Sequence, residues 1–388
     1  MGEGTQIIRA QYTEDPFSSV VPPVYLSAVF GYISDEEAKR DDRGEVVRYS
    51  REVNPTLRPL ERAVASLEGS DDALAFSSGM SSIVTTFMAL LRRGAKVLTL
   101  KELYGASLEV IKELTSLAGG SVKSVYPDAD SVVEELSRDS YDLVFVEVMT
   151  NPTLKVIDVR EVARAASEAG AALVVDNTFT TPLLVRPIRL GATVVVHSST
   201  KYLSGHDDVV GGVVATGADL ARALVRWRRL LGTIQQPFEA YLTYRGLKTL
   251  PVRFERVSRT AKALAEFLHD HSRVRAVHYP GLPDDPSHSV AERLFERKMY
   301  GGVLSFTLKG GLEEAKRFLR SLRLARPAPS LGGTETLVTI PTLTASSHIP
   351  PEDRALLGIE DSLVRVSVGL EDPEDLIEDF SRALSSLS

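Results

Sequence analysis

One lysine directly follows an apolar strand and a run of hydroxyl side chains. The valines at 194–196 favour a strand, and Ser198, Ser199 and Thr200 lead straight to Lys201. Hydroxyl groups at the end of a buried strand can bind a phosphate, and an amine beside them can form a Schiff base with an aldehyde. We therefore predict that Lys201 holds a phosphate-bearing aldehyde. The alternative is a solvated surface lysine, which is what most lysines are.

A second segment offers groups that such a ligand needs. Residues 77–82 form a small-residue turn between an apolar strand and a helix, so free N–H groups and the helix dipole can bind a phosphate there. An ordinary serine cap with a glycine turn fits the same residues equally well. No Walker lysine follows, which argues against a nucleotide-binding loop.

Asp176 ends another apolar strand, at 172–176. A carboxylate in that position is costly unless it meets a cation. A protonated pyridine nitrogen is one such cation, and its charge lets the ring act as an electron sink. The alternatives are a helix cap and a metal ligand. Lys201 follows the next strand, so one βαβ step brings the acid and the amine to neighbouring strand ends.

Arg365 lies in an apolar strand predicted at 363–368. A half-buried arginine usually has a carboxylate partner. That partner is either an aspartate or glutamate of the protein or the carboxylate of a substrate, and the sequence leaves both open.

The pattern of elements predicts an α/β protein with three parts. Between residues 56 and 250, apolar strands separated by helices indicate a large domain with a mostly parallel sheet covered on both faces. Its strands are predicted at 73–76, 96–100, 143–147, 172–176 and 193–196, and its helices at 57–67, 81–91 and 159–169. Residues 251–388 indicate a smaller α+β domain, with strands at 274–278, 302–308 and 363–368 and helices at 257–269, 315–322 and 372–387. Residues 1–55 lack a periodic pattern and are predicted to be an arm that packs on a neighbouring subunit.

Composition excludes several classes of function. The 388 residues carry a net charge of −7, which favours neither nucleic acid nor an anionic membrane as a partner. The chain has no cysteine, so disulfides, cysteine nucleophiles and thiolate metal sites are excluded. No metal site is predicted, and no apolar run approaches the roughly 20 residues that span a bilayer. A cytoplasmic protein is the default expectation.

Eight segments together resemble the Cys/Met-metabolism family of pyridoxal-phosphate (PLP) enzymes, which have fold type I, the aspartate aminotransferase-like fold. They occur in the family's order and at suitable spacing over nearly the whole chain. The segments are 49–56 (YSREVNPT), 78–80 (SGM), 103–105 (LYG), 150–155 (TNPTLK), 175–179 (VDNTF), 198–206 (SSTKYLSGH), 330–335 (SLGGTE) and 364–372 (VRVSVGLED).

The resemblance implies a cofactor site for PLP. Lys201 is expected to hold the cofactor as a Schiff base and to move protons during the reaction. Asp176 is expected to pair with the ring nitrogen, and Tyr104 to stack on the ring and to act as an acid or base near the leaving group. The groups expected at the phosphate are the backbone amides of Gly79 and Met80 and the hydroxyls of Ser198 and Thr200.

The resemblance also implies a substrate site and an assembly. Arg365 is expected to bind the substrate α-carboxylate, assisted by Asn151 and Ser330. Tyr49 and Arg51 are expected to complete the phosphate site of the neighbouring subunit. The family is typically a homotetramer built from two dimers that share active sites, and its substrates are small sulfur amino acids.

The loop at 330–335 most resembles the enzymes that act on cystathionine at Cγ, namely cystathionine γ-lyase and cystathionine γ-synthase. Glu335 is expected to favour the distal ammonium of cystathionine, or else to form a salt bridge. Ala106 stands where many methionine γ-lyases have cysteine. Methionine γ-lyase, O-acylhomoserine sulfhydrylase and cystathionine β-lyase stay open as alternatives, and a non-catalytic regulator with the PLP fold is an alternative of another class.

Two positions depart from the family's pattern. Asp207 stands where the family usually has serine after Gly-His. Thr344 and Ala345 stand where it usually has a Thr-His pair, and His348 is displaced by several residues. Both departures lie near the cofactor lysine or the substrate loop, so they bear on substrate choice.

Overall fold

Seven strands form a large mixed sheet in this computed structural model, which describes residues 1–10, 17–347 and 349–387. The strands are β1 (Asp72–Phe76), β2 (Lys96–Leu100), β3 (Ser121–Val125), β4 (Leu143–Glu147), β5 (Ala172–Asp176), β6 (Val194–His197) and β7 (Gly212–Thr216). Their order across the sheet is β1-β7-β6-β5-β4-β2-β3. Only β7 runs against its two neighbours, β1 and β6, so the prediction of a mostly parallel sheet is confirmed.

Helices cover both faces of this sheet, which explains why its inner strands are mostly apolar. Every residue of β4, β6 and β7 is buried. The helices of this part of the chain are α1 (Glu3–Arg9), α2 (Arg58–Glu68), α3 (Gly79–Leu90), α4 (Gly105–Leu117), α5 (Ala129–Arg138), α6 (Val159–Glu168), α7 (Thr181–Leu184), α8 (Ala218–Leu231) and α9 (Pro237–Leu247).

A second, smaller sheet lies in the C-terminal part of the chain. Its strands are β8 (Val274–His278), β9 (Val303–Leu308), β10 (Arg326–Pro327), β11 (Leu337–Thr339) and β12 (Leu363–Ser367), in the order β10-β11-β12-β9-β8. The helices there are α10 (Leu250–His269), α11 (His288–Leu294), α12 (Leu312–Ser321), α13 (Pro351–Leu357) and α14 (Pro373–Ser385). Phe306 of β9 packs on Phe318 and Phe380, with ring centroids 5.5 and 6.4 Å away, and these contacts join the sheet to α12 and α14.

A buried ion cluster ties the N-terminal segment to the large sheet. Glu61 of α2 is 1% exposed and lies within 3.0 Å of three arginines, Arg43, Arg58 and Arg228. It also accepts a hydrogen bond from the amide of Ala75 in β1. Burial works against the charge of Glu61, but the three guanidinium groups hold the pKa of this carboxyl below its ordinary range.

The N-terminal segment also exposes apolar side chains. Phe17, Val20, Leu26, Val29 and Ile33 are each more than half exposed. Among the described residues, no helix combines the length and the apolar character needed to cross a bilayer.

Candidate active site

A cavity of about 500 Å³ lies at the carboxyl ends of β1, β4, β5 and β6. Its volume is within the range of small-molecule sites, and the ends of parallel strands are where α/β sheets bind ligands. The smaller sheet closes it with Arg365 of β12 and with residues 329–331. The cavity brings together ten of the predicted site residues: Gly79, Met80, Tyr104, Asn151, Asp176, Ser198, Thr200, Lys201, Ser330 and Arg365.

One wall of the cavity is the first turn of α3. Ser78 caps this helix, because its hydroxyl accepts from the amide of Ser81 at 2.9 Å. The amides of Gly79 and Met80 have no hydrogen-bond partner in the described part of the chain. A Cβ at position 79 would lie 2.9 Å from the Cβ of Ser198, so glycine is what lets α3 approach the end of β6. Two free amides at a helix N-terminus suit a phosphate.

The hydroxyls next to this turn differ in their availability. Thr200 accepts from the amide of Gly211 at 2.9 Å and donates to its carbonyl at 3.2 Å, so its proton is already engaged. The amide of Ser198 donates to the hydroxyl of Thr178 at 2.8 Å, which places Thr178 in the cavity wall. Thr178 lies within the segment 175–179 but was not predicted as a site residue.

Lys201 reaches across the cavity to the smaller sheet. Its Nζ donates to the hydroxyl of Ser330 at 2.8 Å. Burial lowers the pKa of the amine, and the charge of Arg365 lowers it further, whereas Asp207 acts in the opposite direction. A buried lysine with a lowered pKa is easily deprotonated, as a nucleophile or base must be.

Arg365 is 4% exposed, and no aspartate or glutamate among the described residues forms a salt bridge with it. Its Nη1 donates to Asn151 Oδ1 at 3.0 Å and its Nη2 to the carbonyl oxygen of Ser330 at 2.9 Å. Its Nε is buried with no partner in the described structure. Burial lowers the pKa of the guanidinium to about 10. Among the described residues, therefore, the alternative of a protein carboxylate as the partner of Arg365 is wrong.

Two carboxylates lie side by side at the floor of the cavity. Glu147 and Asp176 are register partners on the parallel strands β4 and β5. Burial raises the pKa of both groups, and the charge of Asp176 raises that of Glu147 further. Asp176 Oδ1 accepts from the amide of Thr178 at 2.9 Å, and Glu147 accepts from the amide of Tyr104 at 2.8 Å. Glu147 was missed as a site residue, although it ends an apolar strand just as Asp176 does.

Tyr104 precedes the first turn of α4, and its side chain is 47% exposed at the cavity. Three other predicted site residues do not line the cavity of their own chain. The Cζ of Arg51 lies 5.3 Å from the ring centroid of Tyr49, and Arg51 donates to the carbonyl oxygen of Arg229 at 2.8 Å. Glu335 is about half exposed and pairs with Arg326 at 3.4 Å, which is the salt bridge considered as the alternative role.

The two departures from the family's pattern both lie close to the cavity. Asp207 has φ 56°, and its carboxylate packs on Gly333, where a Cβ would lie 1.6 Å from Oδ2. Thr344 and Ala345 line the cavity wall. His348, which is displaced from the family's Thr-His position, lies outside the described residues.

The arrangement suits a ligand with several charged groups. Within the described residues, it offers free amides for a phosphate, an amine of lowered pKa, a buried acid and a guanidinium without an acidic partner. In the described part of the chain, no group of three or more histidine, aspartate and glutamate side chains could hold a metal ion.

Comparison with known proteins points the same way. Residues 4–385 match the family model described as Cys/Met metabolism PLP-dependent enzyme. Cystathionine gamma-lyase of Dictyostelium discoideum is 38% identical over 98% of this chain and 97% of its own length. L-methionine gamma-lyase of Fusobacterium nucleatum subsp. nucleatum is 36% identical over 100% of this chain and 98% of its own. The crystal structure of cystathionine gamma synthase from Xanthomonas oryzae pv. oryzae superposes with a TM-score of 0.92 at 36% identity, over 99% and 98% of the two chains.

Proposed function

Because the chain belongs to the family of Cys/Met metabolism PLP-dependent enzymes, we propose that its reaction is γ-elimination on cystathionine. The products would be cysteine, 2-oxobutanoate and ammonia. The observation that carries this proposal is Arg365, a buried guanidinium that has no acidic partner in the part of the chain the structure describes and is linked to Lys201 through Ser330. The cystathionine gamma-lyase of Dictyostelium discoideum, at 38% identity, supports the choice of substrate and bond.

The residues at the cavity fit the PLP that the family uses. Gly79 keeps the amides at the start of α3 open, since a Cβ there would collide with Ser198. We assign the phosphate to those amides and to the Ser198 hydroxyl. Thr200 would have to turn its hydroxyl away from Gly211 to donate as well. Bound PLP supplies an electron sink that stabilises negative charge on the substrate carbon chain.

In this proposal Arg365 binds the α-carboxylate of the substrate. Its Nη groups are held by Asn151 and by the Ser330 carbonyl, so the guanidinium is fixed before the substrate arrives. A preorganised guanidinium can bind a carboxylate through two hydrogen bonds, which also fixes the orientation of Cα. Asn151 and Ser330 therefore act by positioning Arg365.

Lys201 is assigned the proton transfers at the substrate carbons. The lowered pKa of its amine leaves more of it neutral and able to accept a proton, and a hydrogen bond to the Ser330 hydroxyl holds it in the cavity. Tyr104, half exposed at the same cavity, is assigned the proton that the departing sulfur needs. Asp176 would pair with the ring nitrogen of PLP.

A second candidate function is γ-replacement, in which a thiol attacks Cγ after the first group has left. The structural match to a cystathionine gamma synthase, at a TM-score of 0.92, favours this candidate. Elimination and replacement share their early steps and differ in whether water or a thiol completes the reaction. Methionine γ-lyase, sulfhydrylase and β-lyase activities are further outcomes of the test below.

We also propose a homotetramer of two dimers that share active sites. Tyr49 and Arg51 lie outside the cavity of their own chain, and the segment before them exposes apolar side chains. Both facts fit an arm, residues 1–55, that reaches a neighbouring subunit. The boundaries of the two domains at 56–250 and 251–388 and the cytoplasmic location stay predictions. Light scattering of the purified protein measures the assembly, and a monomer would contradict the proposal.

The decisive experiment identifies the products from cystathionine, with and without an added thiol. Cysteine with 2-oxobutanoate supports γ-elimination, whereas homocysteine with pyruvate would establish β-elimination instead. Turnover only of an acylhomoserine with cysteine or sulfide would establish replacement. Lys201→Ala should abolish every turnover, and Lys262→Ala, a matched change on the surface of α10, should leave turnover at the wild-type level.

A further inference from the structure

A buried acid holds the loop that follows β4 (residues 150–155, the β4 loop) and has no part in the assignments above. Glu102 lies shortly after the end of β2, the strand next to β4, and is 0% exposed. Its Oε1 accepts from the amide of Thr153 at 2.8 Å, and its Oε2 accepts from Nζ of Lys155 at 3.0 Å. The Thr153 hydroxyl donates to the same carboxyl group at 2.7 Å. Among the described residues, every hydrogen bond to this side chain therefore comes from the β4 loop.

Glu102 bonds to the two residues on either side of an unfavourable backbone conformation. Leu154 has φ 58°, in the left-handed region that is costly for a bulky side chain, and it is 0% exposed. Such a conformation persists only where the surrounding contacts impose it. Thr153 and Lys155 flank Leu154, and both donate to Glu102. The acid is therefore one of the contacts that fix the shape of the β4 loop.

The same loop reaches the proposed carboxylate site. Asn151 Oδ1 accepts from Nη1 of Arg365 at 3.0 Å. The carbonyl of the next residue, Pro152, accepts from the Ser305 hydroxyl at 2.7 Å. Ser305 of β9 is the register partner of Arg365 on β12. The β4 loop is thus bonded to Glu102 on the side of the large sheet and, on the side of the smaller sheet, to the two paired residues that include Arg365.

We propose that Glu102 is a positioning residue for the substrate α-carboxylate, because it fixes the β4 loop so that Asn151 holds the guanidinium of Arg365. The inference rests on the proposed role of Arg365. A guanidinium whose supports are fixed before the ligand arrives loses less freedom on binding. Without Glu102 the β4 loop could relax and carry Asn151 away. Arg365 would then keep the Ser330 carbonyl as its remaining hydrogen-bond partner among the described residues.

The test measures how tightly the PLP-loaded protein binds glycine and methylamine, by the change in its visible absorbance. Glycine carries a carboxylate and methylamine does not, so the ratio of the two dissociation constants isolates the contribution of the carboxylate. Glu102→Ala should weaken glycine binding about tenfold, the order of one hydrogen bond to a charged group, and leave methylamine binding unchanged. Equal weakening for both amines, or none for either, would overturn the proposal.

A more conservative variant carries the same test if the alanine variant does not fold. Glu102→Gln keeps the volume of the side chain and an oxygen for the Thr153 amide, but it offers no second acceptor to Lys155. Glycine binding should therefore weaken by less, about threefold, again without a change for methylamine. Glu134→Ala, in an exposed pair with Arg138, is the control and should bind both amines as the wild type does. Thermal unfolding of each variant reports folding separately.

A double-mutant cycle tests the route through Asn151. If Glu102 acts through Asn151, Glu102→Ala has no further effect on glycine binding in an Asn151→Ala background. The same tenfold loss in that background would overturn the proposal, because the acid would then act by another route. Glycine binding that is unaltered in Arg365→Lys would refute the proposed role of Arg365 itself, which is a different result from an inert Glu102.

Discussion

Lys201 and Arg365 donate to the same residue: Nζ to the hydroxyl of Ser330 at 2.8 Å, and Nη2 to its carbonyl oxygen at 2.9 Å. Ser330 has φ 102°, a conformation that residues other than glycine rarely adopt, and it is held there from both sides. The nearby guanidinium adds to burial in lowering the pKa of the Lys201 amine. The group proposed to bind the substrate thus also keeps the amine of Lys201 available as a base.

Arg365→Lys should raise KM for the amino-acid substrate about 10- to 100-fold, the range for losing a hydrogen bond to a charged group. Lysine keeps the positive charge but cannot bond to Asn151, to Ser330 and to a carboxylate in the same geometry. Steady-state kinetics measure the change. Arg222→Lys, in an exposed pair with Asp219, is the control and should leave KM unchanged. An unaltered KM in Arg365→Lys would show that another group binds the substrate carboxylate.

Asp207→Asn should lower the pKa of the Lys201 amine, because the Asp207 charge raises it in the wild type. Asparagine tolerates the left-handed conformation of this position, so the change isolates the charge. Only the neutral amine reacts with an aldehyde, so the pH profile for PLP uptake by the cofactor-free protein should move to lower pH. The control is Glu335→Gln, a nearby exposed acid. An identical profile in Asp207→Asn would show that Asp207 has no influence on Lys201.

Glu147→Gln should gain stability relative to the wild type as pH rises above about 4.5, the ordinary pKa of glutamate. Burial, and then Asp176, raise the pKa of Glu147 in the folded protein. The folded wild type therefore holds a proton that the unfolded chain has lost, and its stability falls as pH rises through this range. Glutamine does not titrate. Urea unfolding of the cofactor-free proteins at pH 5 and pH 8 measures the difference, and an equal difference at both pH values would contradict this account.

Glu61→Gln should destabilise the fold by about 3–5 kcal/mol, the cost of breaking a buried ion pair from one side. The change leaves Arg43, Arg58 and Arg228 with less compensating charge at a site that is 1% exposed. Urea unfolding measures the free energy. Asp219→Asn, in an exposed pair with Arg222, should cost less than about 1 kcal/mol. If Glu61→Gln also cost less than about 1 kcal/mol of unfolding free energy, water or other acidic side chains would have to compensate the charges of the three arginines.

Four of the five inner strands of the large sheet, β2, β4, β5 and β6, could be predicted from the sequence because they are largely buried and mostly apolar. The fifth, β7, was missed although every residue of it is buried. Strands β2, β4 and β5 begin and end where the pattern predicts, and so does β8, an edge strand of the smaller sheet. The edge strand β3 was missed, because its residues, Ser-Val-Lys-Ser-Val, are partly exposed. Helix α10 begins at Leu250 rather than 257, since Pro251 lies in the first turn, where its missing N–H is not needed.

Lys201 and Asp176 could be predicted as site residues because each has a chemically suitable side chain and lies at or just after the end of an apolar strand. The partner of Arg365 could not be read from the sequence, because it depends on which side chains β12 meets in space. The contact between Glu68 and His197 could not be predicted for the same reason: the two residues are 129 apart in the chain and meet only when α2 packs on the sheet.

Strand β7, which packs against the proposed phosphate site, is the last of the seven strands to be synthesised. In the large sheet β1 pairs with β7 alone, and Gly212 lies so close to the Ser78 carbonyl that a Cβ would approach it to 2.2 Å. This pairing closes a loop of about 140 residues, which makes it a slow, late step of folding. A nascent chain that ends before β7 therefore cannot finish its cofactor site, and its unpaired strand edges are open to aggregation during synthesis.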